Sequence, residues 1–371
     1  MSLFKKAATN IAVVDIRSSS IGAAYAVIPP GAKPRLVYST RIPIDPHATE
    51  PLAEALPRAL ETVLAQLVRE GSPLLRSASG SGRVDRVLVT CTAPWQCSEV
   101  FSKVIERDRP FVFTKELLME SMRKGTAAKG RRQVSNMIIA TLLNGYEVEK
   151  PFGKRVNRAE LILMSSSIDA EMMDMTTRQI RRALHQGRID FNAFLPEVFM
   201  PMREVYPHQP DFLVLDIGGD AADILLVKHG LLISAACMDH GVNEMVRAAR
   251  SAGISSPTVP AVDMTRADAV SGTALTTEDV WLGHVREALA EIAKHEPLPR
   301  TVLLLAEEHA RDFLRALLDA PTLRSLWVSD ESLAILPVLP TQFIPFLDGA
   351  EKEGADPALA LLALAAVRRI S

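Results

Sequence analysis

The stretch FLVLDIGGDAADILLVKHGLL, from Phe212 to Leu232, carries the most informative pattern in the chain. Two apolar runs flank a tip that holds Asp216, the pair Gly218 and Gly219, and Asp220. Short apolar runs separated by turn residues predict the two buried strands of a hairpin. A buried hairpin gains nothing from an aspartate at its tip. We therefore expect this tip to meet a group outside the hairpin.

A second stretch, near the start of the chain, repeats this pattern. In IAVVDIRSSSIGAAYAVI (Ile11–Ile28), two apolar runs flank Asp15 and the polar turn Arg17–Ser20. When Asp15 is aligned with Asp216, the two hairpins read alike, although they lie in opposite halves of the chain. Internal repetition predicts two similar α/β lobes whose hairpin tips face each other.

The residue types at the two tips suit a nucleotide that is bound together with Mg²⁺. Glycine and serine turns let backbone N–H groups and hydroxyls come close to phosphate oxygens. The carboxylates of Asp15 and Asp216 would repel phosphates, so their presence predicts a bridging magnesium ion. The alternative interpretation is that both aspartates only cap their hairpins.

The composition narrows the classes of function. The 371 residues suffice for two or three domains, and 42 Lys and Arg against 44 Asp and Glu argue against nucleic acid as a partner. The three cysteines and eight histidines show no paired spacing, so we expect neither a disulfide framework nor a histidine metal site. No apolar run reaches the ~18 residues of a membrane-spanning helix and no signal peptide is evident, so a cytoplasmic location is expected.

The segment from Trp95 to Gly187 has a pattern of strands and helices unlike that of its surroundings. This pattern predicts a compact β-α-β-β-β-α insert. The predicted division is therefore residues 1–94 and 188–208 for the first lobe, 95–187 for the insert, and 209–371 for the second lobe. Two local predictions concern SPLLRSASGSGR (Ser72–Arg83), expected as a loop, and LRSLWVS (Leu323–Ser329), expected as a strand.

On these residues the sequence resembles the actin-like ATPase superfamily. DIRSSSIGAAY (Asp15–Tyr25) is similar to its first phosphate loop, and DIGGDAADILLVKHG (Asp216–Gly230) to its second. The insert, with GYEVEKPFGKRVNRAELILMSSSI (Gly145–Ile168) at its centre, resembles the extra subdomain of FtsA-like cell-division proteins and PilM-like type IV pilus assembly proteins. The final LALAAVRRIS resembles the last helix of a lobe rather than an amphipathic membrane-targeting helix, which favours the PilM-like proteins.

The resemblance implies a duplicated, two-lobed α/β fold of the actin-like, ribonuclease H-like type with an inserted α+β subdomain. It also implies a site for ATP, with Asp15 and Asp216 facing Mg²⁺. The residues that it places at the nucleotide are Asp15, Arg17, Ser18, Ser19, Ser20, Asp216, Gly218, Gly219, Asp220 and Gly241.

Three departures from the family pattern predict that ATP binds weakly or not at all. Arg17 stands where the first loop usually has glycine, and Ala221 and Ala222 stand where the second loop usually has threonines. The strand expected to lie beside adenosine ends in Ala306, Glu307 and Glu308 instead of a glycine pair. Two carboxylates would be poor neighbours for a nucleotide, because their charge has the sign of the phosphates.

The PilM-like resemblance implies a cytoplasmic scaffold that lies at the inner membrane through its partners. The implied partner is a short cytoplasmic peptide of an inner-membrane pilus assembly protein, held between the insert and the first lobe, and self-assembly of the chain is a further expectation. Two alternatives remain open at this point. One is a Mg-dependent ATPase whose nucleotide state controls assembly, and the other is an FtsA-like division protein.

Overall fold

The computed structural model describes residues 8–44, 50–122, 128–251, 273–327, 333–352 and 354–369. The strands are β1 (Thr9–Ile16), β2 (Ser20–Ile28), β3 (Arg35–Pro43), β4 (Arg86–Cys91), β5 (Gln96–Val112), β6 (Arg131–Leu143), β7 (Tyr146–Glu147), β8 (Arg155–Asp169), β9 (Ile189–Ala193), β10 (Phe212–Ile217), β11 (Ala222–Lys228), β12 (Leu231–Met238), β13 (Thr301–Ala306) and β14 (Ala334–Pro337). The helices are α1 (Leu52–Gln66), α2 (Ser72–Ser79), α3 (Lys115–Met122), α4 (Ala170–Leu184), α5 (Phe194–Val205), α6 (Val242–Ser251), α7 (Thr273–Ala293), α8 (Glu308–Leu318), α9 (Pro321–Arg324) and α10 (Pro357–Arg368). Within these residues, no helix is both long enough and apolar enough to cross a membrane.

Two five-stranded sheets have the same topology. Their strand orders are β3-β2-β1-β4-β9 and β12-β11-β10-β13-β14. In the first sheet β1 pairs antiparallel with β2 and parallel with β4, and in the second sheet β10 pairs antiparallel with β11 and parallel with β13. The repeat seen in the sequence is therefore the repeat of a whole sheet, and Asp15 and Asp216 are the next-to-last residues of the equivalent central strands.

The two sheets share one hydrophobic core. Strand β1 turns Ile11 and Val13 towards this core, and β10 turns Phe212 and Val214 towards it, since alternate residues of a strand face the same side. Helices α5 and α10 pack into the same core, and α10 is apolar nearly all round because it is buried on most sides. Helix α10 contacts β1, β2 and β3, so the segment 209–371 is not confined to the second sheet. The three-part division of the chain stays a prediction.

The third sheet has the order β5-β8-β6-β7 and carries α3 on a small core of its own. Asn144 and Gly145 join β6 to β7 with φ angles of 50° and 88°, the tight hairpin turn that an Asn-Gly pair predicts. The predicted order β-α-β-β-β-α is present as β5, α3, β6, β7, β8 and α4. The last helix, however, packs against α1 on the outer side of the first sheet, where Met172 and Ile180 are buried.

Two local predictions were wrong. LRSLWVS contains the end of the short helix α9, because Pro321 presets the backbone of a first helical turn, and the strand β14 follows later in the chain. SPLLRSASGSGR begins as the helix α2, which continues α1 through a π-helical turn over Leu67–Gly71 and buries Leu75. Gly80 ends this helix with a φ angle of 78°, as helix-terminating glycines commonly do.

Candidate nucleotide site

The two hairpin tips face each other, and the side chain of Arg17 lies between them. Its Nε atom donates to Asp15 Oδ2 at 2.7 Å, and its Nη1 atom donates to Asp216 Oδ1 at 2.5 Å. Both carboxylates are fully buried, and the Arg17 side chain is 5% exposed. The guanidinium also lies over the ring of Phe194, with its carbon 4.6 Å from the ring centroid. The position between the two aspartates, predicted for Mg²⁺, is thus filled by a cation of the chain itself.

Arg17 belongs to a buried network in which acids and bases alternate. Arg41 donates from Nη2 to Asp15 at 2.8 Å and from Nε to Asp356 at 2.5 Å. Asp356 in turn caps α10 by accepting from the backbone N–H of Leu359. The network therefore joins both hairpin tips, β3 and the start of α10.

Burial and pairing act in opposite directions on these groups. Burial alone would lower the pKa of Arg17, but the charges of Asp15 and Asp216 more than offset it and the pKa is raised. For Asp216, burial prevails and raises the pKa, while Arg17 opposes the shift. Burial also opposes ionisation of Asp356, yet Arg41 holds its pKa below the usual range. The ionised forms of Asp216 and Asp356 are thus stabilised by the neighbouring arginines.

The two loops are packed directly on each other. The backbone N–H of Asp220 donates to Ser18 Oγ at 3.0 Å, and a Cβ atom on Gly219 would lie 2.8 Å from the Cβ of Ser19. A Cβ atom on Gly241 would lie 2.3 and 2.5 Å from the carbonyl oxygens of Gly219 and Gly218. These glycines allow close backbone approach between protein segments, a role other than the phosphate contact that was predicted.

Helix α6 directs its first amides at the second loop. The N–H groups of Val242 and Asn243 donate to the carbonyls of Gly218 and Gly219 at 3.1 and 2.7 Å. A helix N-terminus binds anions through its free N–H groups. Here two of these groups are engaged by the protein. The carboxylate of Asp220 is engaged as well, because Arg247 donates to it at 2.6 Å.

Glu307 accepts hydrogen bonds from two hydroxyl groups of the first loop. It follows the last residue of β13, and its Oε1 atom accepts from Ser19 Oγ at 2.5 Å and from Ser20 Oγ at 2.6 Å. Ser18 accepts from Asp220, so all three predicted phosphate-binding hydroxyls have protein partners. Glu308, which was expected to face the nucleotide together with Glu307, begins α8; it is exposed and lines the same cleft as Glu307.

An open cleft of ≈ 360 Å³ lies beside this network. Its walls come from β3, from the end of β13 and from the segment before α10, and they include Arg17, Arg41, Glu307 and Asp356. This volume falls within the range of small-molecule pockets, but its walls carry charges of both signs.

Asp223 has a role that the sequence reasoning missed. Its carboxylate accepts from the backbone N–H of Ala93 at 2.8 Å and from Gln96 Nε2 at 2.5 Å, and so ties β11 to the start of the third sheet. Burial raises its pKa to about 7. An acid among apolar strand residues was the signal that this position is unusual.

No family model matches the chain, and no curated protein sequence matches it. Among solved structures, the chain superposes on one described as a PilM–PilN type IV pilus biogenesis complex, with a TM-score of 0.59. The protein has the actin-like fold. The match covers 97% of this chain and 98% of that chain at 16% sequence identity, so the resemblance to actin-like, PilM-type proteins is confirmed at the level of the fold.

Two further structures with lower scores are similar to this actin-like chain. One is a Bacteroides thetaiotaomicron protein with actin-like ATPase fold and unknown function, at TM-score 0.40 and 10% identity, covering 99% of both chains. The other is a Ppx/GppA family member from Aquifex aeolicus, at TM-score 0.40 and 12% identity, covering 97% of this chain and 88% of that chain.

Proposed function

We propose that this protein is an actin-like scaffold of a type IV pilus or secretion-type inner-membrane assembly, with a degenerate nucleotide site and a bound partner peptide. The observation that carries this proposal is the position of Arg17 between Asp15 and Asp216. The fold shared with the PilM–PilN structure supports the pilus assignment. In this proposal the chain works at the cytoplasmic face of the inner membrane and is held there through its partner.

The arrangement of Arg17 disfavours a magnesium–nucleotide complex. A Mg²⁺ ion between the two aspartates would have to displace a guanidinium that is buried and paired with both. Breaking a buried ion pair in this way costs about 3–5 kcal/mol. A phosphate at the serine loop would also have to displace the carboxylate of Glu307, whose charge has the same sign. The residues as arranged therefore do not fit Mg-ATP.

A groove between the third sheet and the first sheet suits a partner peptide. Its volume is ≈ 450 Å³, and it is lined by four consecutive residues of β6 (135–138) together with Met122, Asn192, Pro196, Glu197 and Arg369. Side chains of a strand alternate between its two faces, so a lining by consecutive residues indicates that β6 presents its edge. Among the described residues, β7 and Val148 pair only with Thr141, Leu142 and Leu143 of β6, which leaves the edge at 135–138 without a neighbouring strand. An extended peptide would add to such an edge by main-chain hydrogen bonds.

Calorimetric titration of the purified protein with Mg-ATP tests the nucleotide half of the proposal. We expect no measurable heat at micromolar ATP. Micromolar binding with Arg17 intact would contradict the degenerate site and would favour the Mg-dependent ATPase.

The peptide half is tested by titration with synthetic peptides that span the cytoplasmic segments of the host's inner-membrane pilus proteins. We expect one peptide to bind, and the variant Ser135→Arg to abolish this binding by filling the groove. The matched control is Ser102→Arg, at an exposed position of β5 outside the groove. Equal binding by both variants, or no binding by the wild type, would contradict the proposed peptide site.

A further inference from the structure

Two histidines and a glutamate meet on the second sheet, outside the aspartate network. His240 lies two residues before the start of α6, Glu244 lies in the first turn of α6, and His284 lies in α7. The Nδ1 atom of His240 is 3.0 Å from Oε2 of Glu244. The imidazole rings of His240 and His284 stack with centroids 3.5 Å apart and an angle of 7° between their planes. One nitrogen or oxygen of each side chain lies within 4.8 Å of the others.

An ordinary helix-surface pair explains only part of this cluster. His240 and Glu244 are four residues apart and interact as such pairs do. His284 comes from another helix, and its stacking on His240 brings together two rings that would repel each other if both were protonated. All three side chains are half-buried, so solvent screens that repulsion only in part.

We propose that His240, Glu244 and His284 form a binding site for a zinc-class divalent cation. Neutral imidazole nitrogens with one carboxylate oxygen are a ligand set that Zn²⁺ prefers, and three protein ligands leave a fourth position for water. Magnesium prefers oxygen ligands and is not expected to compete. The site is independent of the proposed pilus role.

Formation of the site requires side-chain rotations. Bond lengths of about 2.0–2.1 Å in a tetrahedral site place ligand atoms about 3.3 Å apart. The present separations, up to 4.8 Å, must shorten to this value when the ion binds. One ring must turn, because the lone pairs of stacked parallel rings cannot converge on one ion. Rotation about the Cβ–Cγ bond has no steep barrier, since its torsional preference is broad.

The consequence of such a site is a link between α7 and the second hairpin tip. The first amides of α6 donate to the carbonyls of Gly218 and Gly219, so α6 already holds that loop. A cation bound by His240 and Glu244 on one side and His284 on the other would join α7 to the same unit. Because binding occurs only in the folded state, the cation would also stabilise the protein.

The test is a titration of the chelator-treated full chain with ZnCl₂ by calorimetry, followed by thermal unfolding with and without zinc. We expect one equivalent of Zn²⁺ to bind and to raise the melting temperature, and millimolar Mg²⁺ to leave the binding unchanged. His284→Ala and Glu244→Gln should each weaken binding by more than about a hundredfold, because each removes a direct ligand. Glu244→Gln keeps the side-chain shape and so separates loss of metal from loss of fold. The matched control is His295→Ala, an exposed histidine beyond the end of the same helix α7.

The thiols need a separate control, because Cys97 and Cys237 lie close together. Cysteine thiolates are common zinc ligands in proteins. The double variant Cys97→Ser, Cys237→Ser should keep the stoichiometric binding. Absence of zinc binding by the wild type, unchanged binding by His284→Ala, or loss of binding in the cysteine double variant would each overturn the proposal.

Discussion

The first hairpin has Arg17 directly after Asp15 and Ile16, whereas the second hairpin has Gly218 at the equivalent position after Asp216 and Ile217. The arginine of the first tip neutralises the acids of both tips. The glycine of the second tip leaves room for the carbonyl oxygen of Ala221 and for the Oγ atom of Ser18. Facing carboxylates in a duplicated fold require a cation between them, and here one residue of one repeat supplies it.

A second difference lies at the position paired with each aspartate. Asp15 pairs with Gly22, and Asp216 pairs with Asp223. A Cβ atom on Gly22 would lie 2.7 Å from Nη2 of Arg41, so glycine makes room for a second arginine beside Asp15. The second sheet has two acids at these positions and receives its arginine from the first. The electrostatic balance of the second tip therefore depends on contact between the sheets.

The largest effect is expected for Arg17→Gly, which makes the first tip resemble the second. Asp15 keeps Arg41, but Asp216 becomes a buried charge without a partner, which is destabilising by about 3–5 kcal/mol. Urea unfolding measures this change. Millimolar Mg²⁺ should restore part of the lost stability of the variant, because two carboxylates then face an empty space, and should not affect the wild type.

The matched control is Arg132→Gly, which removes an exposed ion pair with Asp174. Its effect should stay within about 1 kcal/mol. An Arg17→Gly variant as stable as the wild type would contradict the role given to the guanidinium.

An effect of intermediate size is expected for Gly241→Ala. Its Cβ atom would meet the carbonyl oxygens of Gly218 and Gly219, which are backbone atoms that cannot rotate away. We expect a loss of about 1–3 kcal/mol in the free energy of unfolding. Gly283→Ala is the control with the same chemical change, because no atom lies within 4 Å of its Cβ position inside α7. That variant should be more stable by about 0.5–1 kcal/mol. Equal effects of the two substitutions would refute the close packing of the second tip.

Asp223 has no acidic counterpart in the first sheet, where Gly22 is at the equivalent position, and we expect it to make the stability depend on pH. The pKa of Asp223 is about 7 in the folded protein and near 3.8 when the chain is unfolded. Between these values the folded state holds a proton that the unfolded state has lost, so the free energy of unfolding falls as pH rises through this window. Above pH 7, the total decrease in the free energy of unfolding is on the order of 2–4 kcal/mol.

Urea unfolding at pH 5, 6, 7 and 8 checks this prediction on wild type and Asp223→Asn. The slope with pH should be smaller in the variant. Asp216 will leave a residual slope of the same sign, because its pKa is also raised. Identical pH profiles for the two proteins would show that Asp223 is not protonated by burial.

Much of the fold followed from local patterns in the sequence. The two apolar hairpins with acidic tips predicted a repeat, and each proved to be the centre of a sheet with the same strand order. Helix α9 was missed because LRSLWVS (Leu323–Ser329) was read as a strand, and only Pro321 before it indicated a helix start. Helix α2 was missed because the small residues Ser77, Ala78 and Ser79 resemble a loop, although Leu75 is buried.

The sequence singled out residues that the structure brings together, but it did not show which side chains they contact. Asp15, Arg17 and Asp216 were singled out, yet the sequence cannot show that one guanidinium reaches both acids, since that depends on how two distant segments approach. The contact of Glu307 with Ser19 and Ser20 is of the same kind. The cluster of His240, Glu244 and His284 was not predicted, because His284 is remote in sequence and the three residues form no short motif.

The smallest effect concerns Glu307, which is an acid that the second sheet contributes to the loop of the first. Glu307→Gln keeps an oxygen that accepts from Ser19 and Ser20 but removes the negative charge, so the free energy of unfolding should change by less than about 1 kcal/mol.

The same substitution should have a larger effect on the affinity for a triphosphate than on stability. At an effective dielectric of about 20, one unit charge several Å away contributes about 2 kcal/mol before screening, so the weak affinity for Mg-ATP should rise roughly tenfold. Competition of millimolar Mg-ATP against a fluorescent ATP analogue measures this affinity. Glu308→Gln is the control, because Glu308 lines the same cleft but is exposed, so solvent screens its charge. The affinity of this variant for Mg-ATP should change by less than about twofold. Equal tightening by both variants would mean that the general charge of the cleft, rather than the carboxylate on the serine loop, opposes the nucleotide.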